Sequence, residues 1–124
     1  MKFIIAGGRD FNNRAIMDKI LSEHINPPFD IIISGCAKGA DTLGAEWAAV
    51  HGVPLQTFPA QWDQYGKAAG YIRNAEMGAY ADNAICFWDG KSKGTKHMIQ
   101  TMKKLGKPYS VFNYNGELIE SNGI

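Results

Sequence analysis

Two kinds of hydrophobic periodicity alternate along this chain of 124 residues, and this alternation limits its fold more than any other feature. Near-continuous apolar runs such as Ile31-Ile32-Ile33 are typical of central parallel strands that are buried on both faces. Segments with helical spacing lie between the runs. The order predicts a parallel sheet with right-handed crossovers and helices on both faces. The predicted strands span residues 2–6, 30–34, 53–58, 83–88 and 108–112.

Four helices are predicted between these strands. Asn12 or Asn13 is a candidate N-cap for the first helix, and Asp41 is a candidate N-cap for the second. The third helix is predicted to run from about 68 to 80, and the fourth begins after Thr95. The chain therefore supplies one crossover helix for each pair of successive parallel strands.

The C-terminal segment predicts one further strand. Asn115-Gly116 lies between two β-prone runs, which is typical of a type I′ hairpin turn. An antiparallel edge strand is then expected at 117–120. Because no linker, repeat or low-complexity stretch interrupts the chain, residues 1–124 are expected to form one α/β domain. Its sheet would contain five mainly parallel strands and the antiparallel hairpin strand.

Composition excludes several classes of protein. No apolar run approaches the roughly 20 residues that cross a bilayer, and the apolar part of the start MKFIIAGG is too short for a signal peptide. The two cysteines, Cys36 and Cys86, form no CxxC pattern, which favours reduced thiols in a cytoplasmic protein without membrane contact. The formal net charge is only +1, so nucleic acid is predicted to be an unlikely partner.

The segments that follow the strands carry the functional signal, since ligands of such sheets bind beyond the carboxyl ends of the strands. Residues 7–11, 35–41 and 89–95 are rich in glycine, contain Lys or Arg and open into predicted helices. Glycine permits close backbone approach, and a helix N-terminus favours an anion. Three such loops at one edge predict a phosphate site. None has the P-loop or dinucleotide-binding spacing, and we expect no cofactor and no metal ion.

The segment after the third strand has a different character. Trp62 and Tyr65 are candidates for stacking on a base or ribose. The alternative for Trp62 is that it packs a loop onto the domain. Arg73 suits bidentate recognition of phosphate, and the alternative is an ordinary surface ion pair.

Four motifs in this order resemble those of the SLOG superfamily, and in particular its small stand-alone YspA-type members of bacteria and phages. They are GGRDF at 7–11, SGxAxGADxLxxxWA at 34–48, GKAAGxxRNxxM at 66–77 and DGxSxGT at 89–95. The superfamily includes the Lonely Guy phosphoribohydrolases and the DNA-processing protein DprA. The resemblance implies a Rossmann-like fold, a site for a nucleotide or a nucleotide derivative, and association into a homo-oligomer.

The resemblance also assigns site residues motif by motif. Together with Asp10 and Trp62, the predicted ligand-binding set is Gly7, Gly8, Arg9, Ser34, Gly35, Gly39, Ala40, Asp41, Arg73, Asn74, Asp89, Gly90, Ser92, Gly94 and Thr95. The phosphate is expected on the backbone amides of 8–9, 39–41 and 94–95, with Arg73 adding charge and Trp62 or Trp88 stacking on the base.

One departure from the family pattern bears on catalysis. Lonely Guy enzymes carry glutamates shortly after the GGxGT motif, whereas Thr95 is followed here by Lys96, His97 and Met98. The sequence therefore favours a module that binds or senses a nucleotide-derived ligand.

Two alternatives stay open. One is a hydrolase of the N-glycosidic or phosphate bond of a nucleotide, with Asp89 as the first candidate catalytic carboxylate. Its other candidate acids and bases are Asp10, Asp41, Asp63, Glu76 and His97. The second alternative is an interaction module without small-molecule chemistry.

Overall fold

Five parallel strands and one antiparallel strand form a single sheet in the computed structural model, which describes residues 1–27 and 29–122. The strand order is β3-β2-β1-β4-β5-β6. The elements are β1 (Lys2–Gly7), α1 (Arg14–His24), β2 (Ile31–Ser34), α2 (Ala40–His51), β3 (Leu55–Thr57), α3 (Trp62–Tyr65), a 3-10 turn (Gly66–Ala68), α4 (Ala69–Tyr80), β4 (Asn83–Phe87), α5 (Lys93–Lys104), β5 (Tyr109–Phe112) and β6 (Leu118–Ser121).

The strand order reverses direction beside β1. The chain builds outward from β1 through β2 to β3, and then returns to the other side of β1 to place β4. Gly7 at the end of β1 pairs with Phe87 at the end of β4. A crevice therefore opens between the segments that follow these two strands, as is general for sheets of this topology.

Alternation along β1 divides the core into two layers. Phe3 and Ile5 face α1 and α2, whereas Ile4 and Ala6 face α4 and α5. Both layers consist of fully buried apolar side chains, because a central parallel strand contacts helices on each face. The three-layer, Rossmann-like architecture predicted from the sequence is confirmed.

Several local predictions need adjustment. Asn13 is the N-cap of α1, and its Oδ1 accepts a hydrogen bond from the Ile16 amide at 3.1 Å. The proposed cap of α2 is wrong, since Gly39 holds the N-cap position and Asp41 lies in the first turn. The edge strand β3 is only three residues long and exposed. The short helix α3 was not predicted, because its four residues bury no side chain and show no periodicity.

The β5–β6 connection is not a type I′ turn, which would need positive φ at both Asn115 and Gly116. Among these two residues only Gly116 has a positive φ, of 83°. The Gly116 amide donates to the Asn113 carbonyl, and the Asn113 side chain accepts from the amides of Asn115 and Glu117. The Asn113 side chain thus closes a three-residue loop over 114–116, in which Gly116 has the left-handed backbone conformation.

Within the described part of the chain, none of the helices has the length and apolar character needed to cross a bilayer.

Gly44 sets how closely α2 packs on β1. A Cβ at this position would lie 2.7 Å from the Ile5 Cγ2, inside van der Waals contact. We expect Gly44→Ala to lower the free energy of unfolding by about 1–3 kcal/mol, because the buried methyl group forces the helix away from the sheet. Urea denaturation followed by circular dichroism measures the change.

Gly94→Ala is the matched control. It lies in the first turn of α5 without a positive φ, and among the described residues outside its own helix turn no atom lies within 4 Å of its ideal Cβ. Alanine should leave the free energy of unfolding unchanged or raise it by less than about 1 kcal/mol. Equal losses in both variants would contradict the packing argument.

Candidate functional site

A cleft of about 700 Å³ opens at the carboxyl edge of the sheet. Its walls are the segment after β1, the loop between β2 and α2, the segment after β3, the first half of α4 and the N-terminus of α5. The three glycine-rich loops predicted from the sequence therefore come together, although the third contributes only its last residues. The remaining wall is helix α4.

Most of the residues predicted for ligand binding line this cleft. They are Gly7, Gly8, Arg9, Asp10, Gly35, Asp41, Trp62, Arg73, Asn74, Ser92, Gly94 and Thr95. The predicted residues that do not line it are Ser34, Gly39, Ala40, Asp89 and Gly90. Met77, which closes the GKAAGxxRNxxM motif, lines the cleft as well. Sequence reasoning missed Lys38 and Lys67, which add charge, and Tyr71, which adds aromatic surface. Lys67 and Tyr71 lie in the same motif, which is the signal that could have identified them.

Gly39 and Ala40 support the cleft instead of lining it. Gly39 has a φ of 78°, and a Cβ there would lie 2.2 Å from the Gly8 carbonyl oxygen. The Ala40 amide donates to that same oxygen at 3.3 Å. The buried Ser34 hydroxyl accepts from the Cys36 amide at 3.1 Å. These contacts hold the second loop against the first.

Asp41 is a buried carboxylate beneath the cleft, with only 5% of its surface exposed. Burial raises its pKa to about 6, although the nearby Arg73 charge and backbone hydrogen bonds from Ala37, Gly35 and Gly7 act in the opposite direction. The Asp41 carboxylate therefore already engages three backbone amides of the first two loops.

Part of the predicted phosphate cradle is already hydrogen-bonded within the protein. The Gly8 amide donates to the Phe87 carbonyl at 3.1 Å, and the Ala40 amide donates to Gly8. The Thr95 amide faces the Ser92 hydroxyl at 3.4 Å. Because three of the seven predicted amides have protein partners, an incoming anion would depend on the remaining amides and on charged side chains.

Arg73 and Asn74 connect the walls of the cleft. The Arg73 Nη1 donates to the Gly35 carbonyl, and its Nε donates to the Asn74 Oδ1 at 3.0 Å. Asn74 is buried, and its side-chain Nδ2 donates to the Gly94 carbonyl at 3.2 Å. The same Nδ2 lies 3.2 Å from the His97 Nδ1. Helix α4 thus ties the second loop to the start of α5. The Arg73 guanidinium is fixed in orientation at the cleft.

The cleft carries an excess of positive charge. Arg9, Lys38, Lys67 and Arg73 line it, and within residues 1–27 and 29–122 none of them lies within ion-pair distance of a carboxylate. Of the lining carboxylates, Asp41 is the buried group described above. Asp10 accepts a hydrogen bond from the Tyr114 hydroxyl at 2.6 Å. Converging unpaired cations attract an anion through the focused field of a cleft.

The hydrogen bonds around Asp89, the first candidate catalytic carboxylate, indicate a structural role. Its Oδ1 accepts from the amides of Lys91 and Ser92, each at 2.8 Å, and these hydrogen bonds lower its pKa. It lines a second, shallower pocket of about 370 Å³ together with Trp88 and Tyr114. The side chain shapes the turn before α5 and is not brought together with Arg73.

The remaining candidate acids and bases stand apart from the cleft lining. Asp63, Glu76 and His97 do not appear among the described residues that line it. Burial lowers the pKa of His97. Over the ranges that the structure describes, no three His, Cys, Asp or Glu side chains cluster closely enough to hold a metal ion.

Comparison with known proteins gives three matches. Residues 1–65 match the model of the YAcAr family, described as the YspA, cpYpsA-related SLOG family. The Gene 61 protein of Mycobacterium phage D29 is 33% identical over 115 residues, which cover 86% of this chain and 92% of that protein. The solved structure of DNA processing protein A from Helicobacter pylori superposes with a TM-score of 0.66 at 20% identity, over 90% of this chain. This chain spans 65% of the length of that structure.

The last match corrects one prediction about partners. The Helicobacter pylori structure concerns a single-stranded DNA binding mode. The prediction that nucleic acid is an unlikely partner is therefore wrong, because a protein of this fold binds single-stranded DNA. A net charge of +1 averages over the whole surface, whereas Arg9, Lys38, Lys67 and Arg73 lie together at one cleft.

The burial of Asp41 predicts a pH-dependent stability. Its folded pKa of about 6 exceeds the ordinary value of 3.8, so the folded state binds more protons between these values. The contribution of Asp41 to the free energy of unfolding should therefore fall by about 2 kcal/mol as the pH rises from 4 to 7. Urea denaturation of the wild type and of Asp41→Asn at each pH measures it as the difference between the two proteins. A difference that stays constant with pH would contradict the expectation.

Proposed function

The chain belongs to the YspA, cpYpsA-related SLOG family, and on this premise we propose that its cleft binds the phosphate and base of a nucleotide. The protein would act as a binding or sensing module for a nucleotide or a nucleotide-derived phosphorylated ligand. The observation that carries the proposal is the orientation of Arg73 among three further unpaired cations.

Arg73 is prepared to bind an anion before any ligand arrives. Asn74 and the Gly35 carbonyl occupy its Nε and Nη1. The Nη2 group has no hydrogen-bond partner in the described ranges and remains available to a phosphate oxygen. Because the side chain is already ordered, binding loses little rotamer entropy, and a charge-assisted hydrogen bond stabilises the complex.

The size and the lining of the cleft suit a nucleotide. About 700 Å³ lies in the range of small-molecule sites, which combine apolar surface with a few polar groups. Trp62 and Tyr71 line the cleft together with the cations and offer aromatic faces to a base. The phosphate would lie towards Arg73 and Lys67, with the base against an aromatic ring.

Binding is favoured over hydrolysis by the surroundings of the candidate carboxylates. Cleavage of an N-glycosidic bond needs a carboxylate beside the reacting carbon. Asp89 is engaged with its own loop, and Asp41 is buried among backbone amides. Asp10, which Tyr114 holds by a hydrogen bond, is the remaining carboxylate among the residues lining the cleft.

Single-stranded DNA is the second candidate ligand, and the likeness to DNA processing protein A favours it. A strand presents the same two chemical groups as a free nucleotide, a phosphate and a base. Both ligands would bind through the same cations. Separate titrations of the protein with a mononucleotide and with a single strand therefore decide which of them it binds more tightly.

Arg73→Ala tests the proposed site. We expect it to weaken binding of thymidine or adenosine 5′-monophosphate by about tenfold to a hundredfold, because a charged hydrogen bond to phosphate is lost. Arg73→Lys should bind with intermediate affinity, since it keeps the charge without the planar fork. Isothermal titration calorimetry measures the affinities, and thermal unfolding verifies that each variant is folded.

Arg14→Ala is the control for that measurement. Arg14 is an exposed arginine whose Nη2 lies 2.9 Å from the Glu46 carboxylate, away from the cleft lining. Its replacement should leave nucleotide affinity unchanged. If the wild type binds neither monophosphate, or if Arg73→Ala binds as well as Arg14→Ala, the proposed function is wrong.

The position of Asp41 predicts that anion binding strengthens in acid. Protonation below about pH 6 removes a negative charge close to Arg73, so affinity for a thymidine dinucleotide should rise between pH 7 and pH 5. Its phosphodiester does not titrate in this interval. Asp41→Asn should bind more tightly at pH 7 and show a weaker pH dependence, whereas an unchanged slope would transfer the effect to another group such as His97.

A further inference from the structure

Three aromatic side chains at the outer wall of the cleft are exposed to solvent. Trp62 and Tyr65 belong to α3, and Tyr71 belongs to the first turn of α4. Their exposed fractions are 52%, 42% and 46%. Helix α3 and the 3-10 turn after it bury none of their residues. We call these three residues the aromatic platform.

The aromatic platform is continuous with the cleft and extends beyond it. Trp62 and Tyr71 line the cleft, whereas Tyr65 does not. The Trp62 ring lies over α4, since a Cβ on Gly70 would be 3.5 Å from its Cη2. Tyr65 follows Trp62 by three residues and shares its helix face. The aromatic surface therefore leads outward from the phosphate-binding cations along α3.

The other tryptophans show what a structural role looks like in this protein. Trp47 is only 6% exposed, its Nε1 donates to Asp18, and its ring stacks on His51 at 4.1 Å. The Trp88 Nε1 donates to the Ser92 carbonyl at 3.0 Å. In the described ranges the Trp62 Nε1 has no such partner. Packing over α4 covers part of the Trp62 ring and leaves 52% of the residue exposed to a ligand.

We propose that the aromatic platform binds successive bases of single-stranded DNA whose phosphate occupies the cleft, an inference that rests on the proposed function. A free mononucleotide has one base, which the rings inside the cleft can accommodate. Tyr65 does not line the cleft, so it would contact only a second base further along a strand. Stacking on aromatic rings beside a basic groove is how proteins hold single strands without sequence preference.

Charge complementarity supports this choice of partner. Lys67 lies between Tyr65 and Tyr71 in the chain, lines the cleft and has no carboxylate partner in the described ranges. A strand that passes from Arg73 over Lys67 would have two cations for its backbone within the cleft that Trp62 and Tyr71 also line. The likeness to DNA processing protein A agrees with a strand as the ligand.

Tyr65→Ala separates a strand from a mononucleotide. Fluorescence anisotropy with a labelled oligothymidylate of twelve nucleotides, and calorimetry with thymidine monophosphate, give the two affinities. We expect the wild type to bind the oligonucleotide at least about tenfold more tightly than the monophosphate. Tyr65→Ala should weaken the oligonucleotide by about fivefold to a hundredfold and leave the monophosphate unchanged. Trp62→Ala should weaken both, and Trp62→Phe should restore part of the loss.

Phe29→Ala is the matched control, because Phe29 is 81% exposed and precedes β2 at the opposite edge of the sheet. It should bind both ligands as the wild type does. If Tyr65→Ala binds the oligonucleotide as tightly as Phe29→Ala does, the proposal of the aromatic platform is wrong. The same holds if the wild type binds the oligonucleotide no more tightly than the monophosphate. Neither result contradicts the proposed nucleotide site. If thymidine monophosphate does not bind but the oligonucleotide binds through Tyr65, the mononucleotide cleft is wrong and the platform stands. If neither ligand binds, both are wrong.

Discussion

The buried carboxylate of Asp41 is the interaction on which the cleft depends. Backbone hydrogen bonds from Gly7, Gly35 and Ala37 converge on it, and the Arg73 charge lies close by. Two loops from neighbouring strands are thereby held together without a bound ligand. Desolvation makes the charge costly, as the raised pKa of about 6 shows, and the backbone hydrogen bonds offset part of that cost.

This interaction determines which groups of the cleft are available to a ligand. In a glycine-rich phosphate loop the amides bind the ligand, whereas here the Asp41 carboxylate already engages three of them, those of Gly7, Gly35 and Ala37. In the proposed function, side chains carry much of the recognition of an anion, above all Arg73, which Asn74 and the Gly35 carbonyl orient. In this proposal helix α4 is the ligand-binding wall, and the exposed aromatic rings of α3 and α4 would extend it beyond a single nucleotide.

The distribution of charge explains why composition misled one prediction. A net charge of +1 describes the whole chain and contains no information about position. Several acidic groups are paired elsewhere, as with Glu46 on Arg14 and Glu120 on Lys103. Among the described residues the cations at the cleft have no carboxylate within ion-pair distance, so the local field is positive although the total charge is almost neutral. The proposed binding of a nucleic acid depends on that local field.

The sequence by itself determined the sheet, the position of the cleft and most of its lining, because hydrophobic period and glycine placement are local signals. Buried runs such as Ile31–Ser34 predict strands in order, and the reversal of strand order beside β1 then brings Gly7, Gly35 and Gly94 to one edge. Only the tertiary structure decided what each polar group does. Asp41 became an internal anion instead of a helix cap, and Asp89 a turn residue instead of a cleft acid, because these roles depend on partners far apart in the chain and on burial.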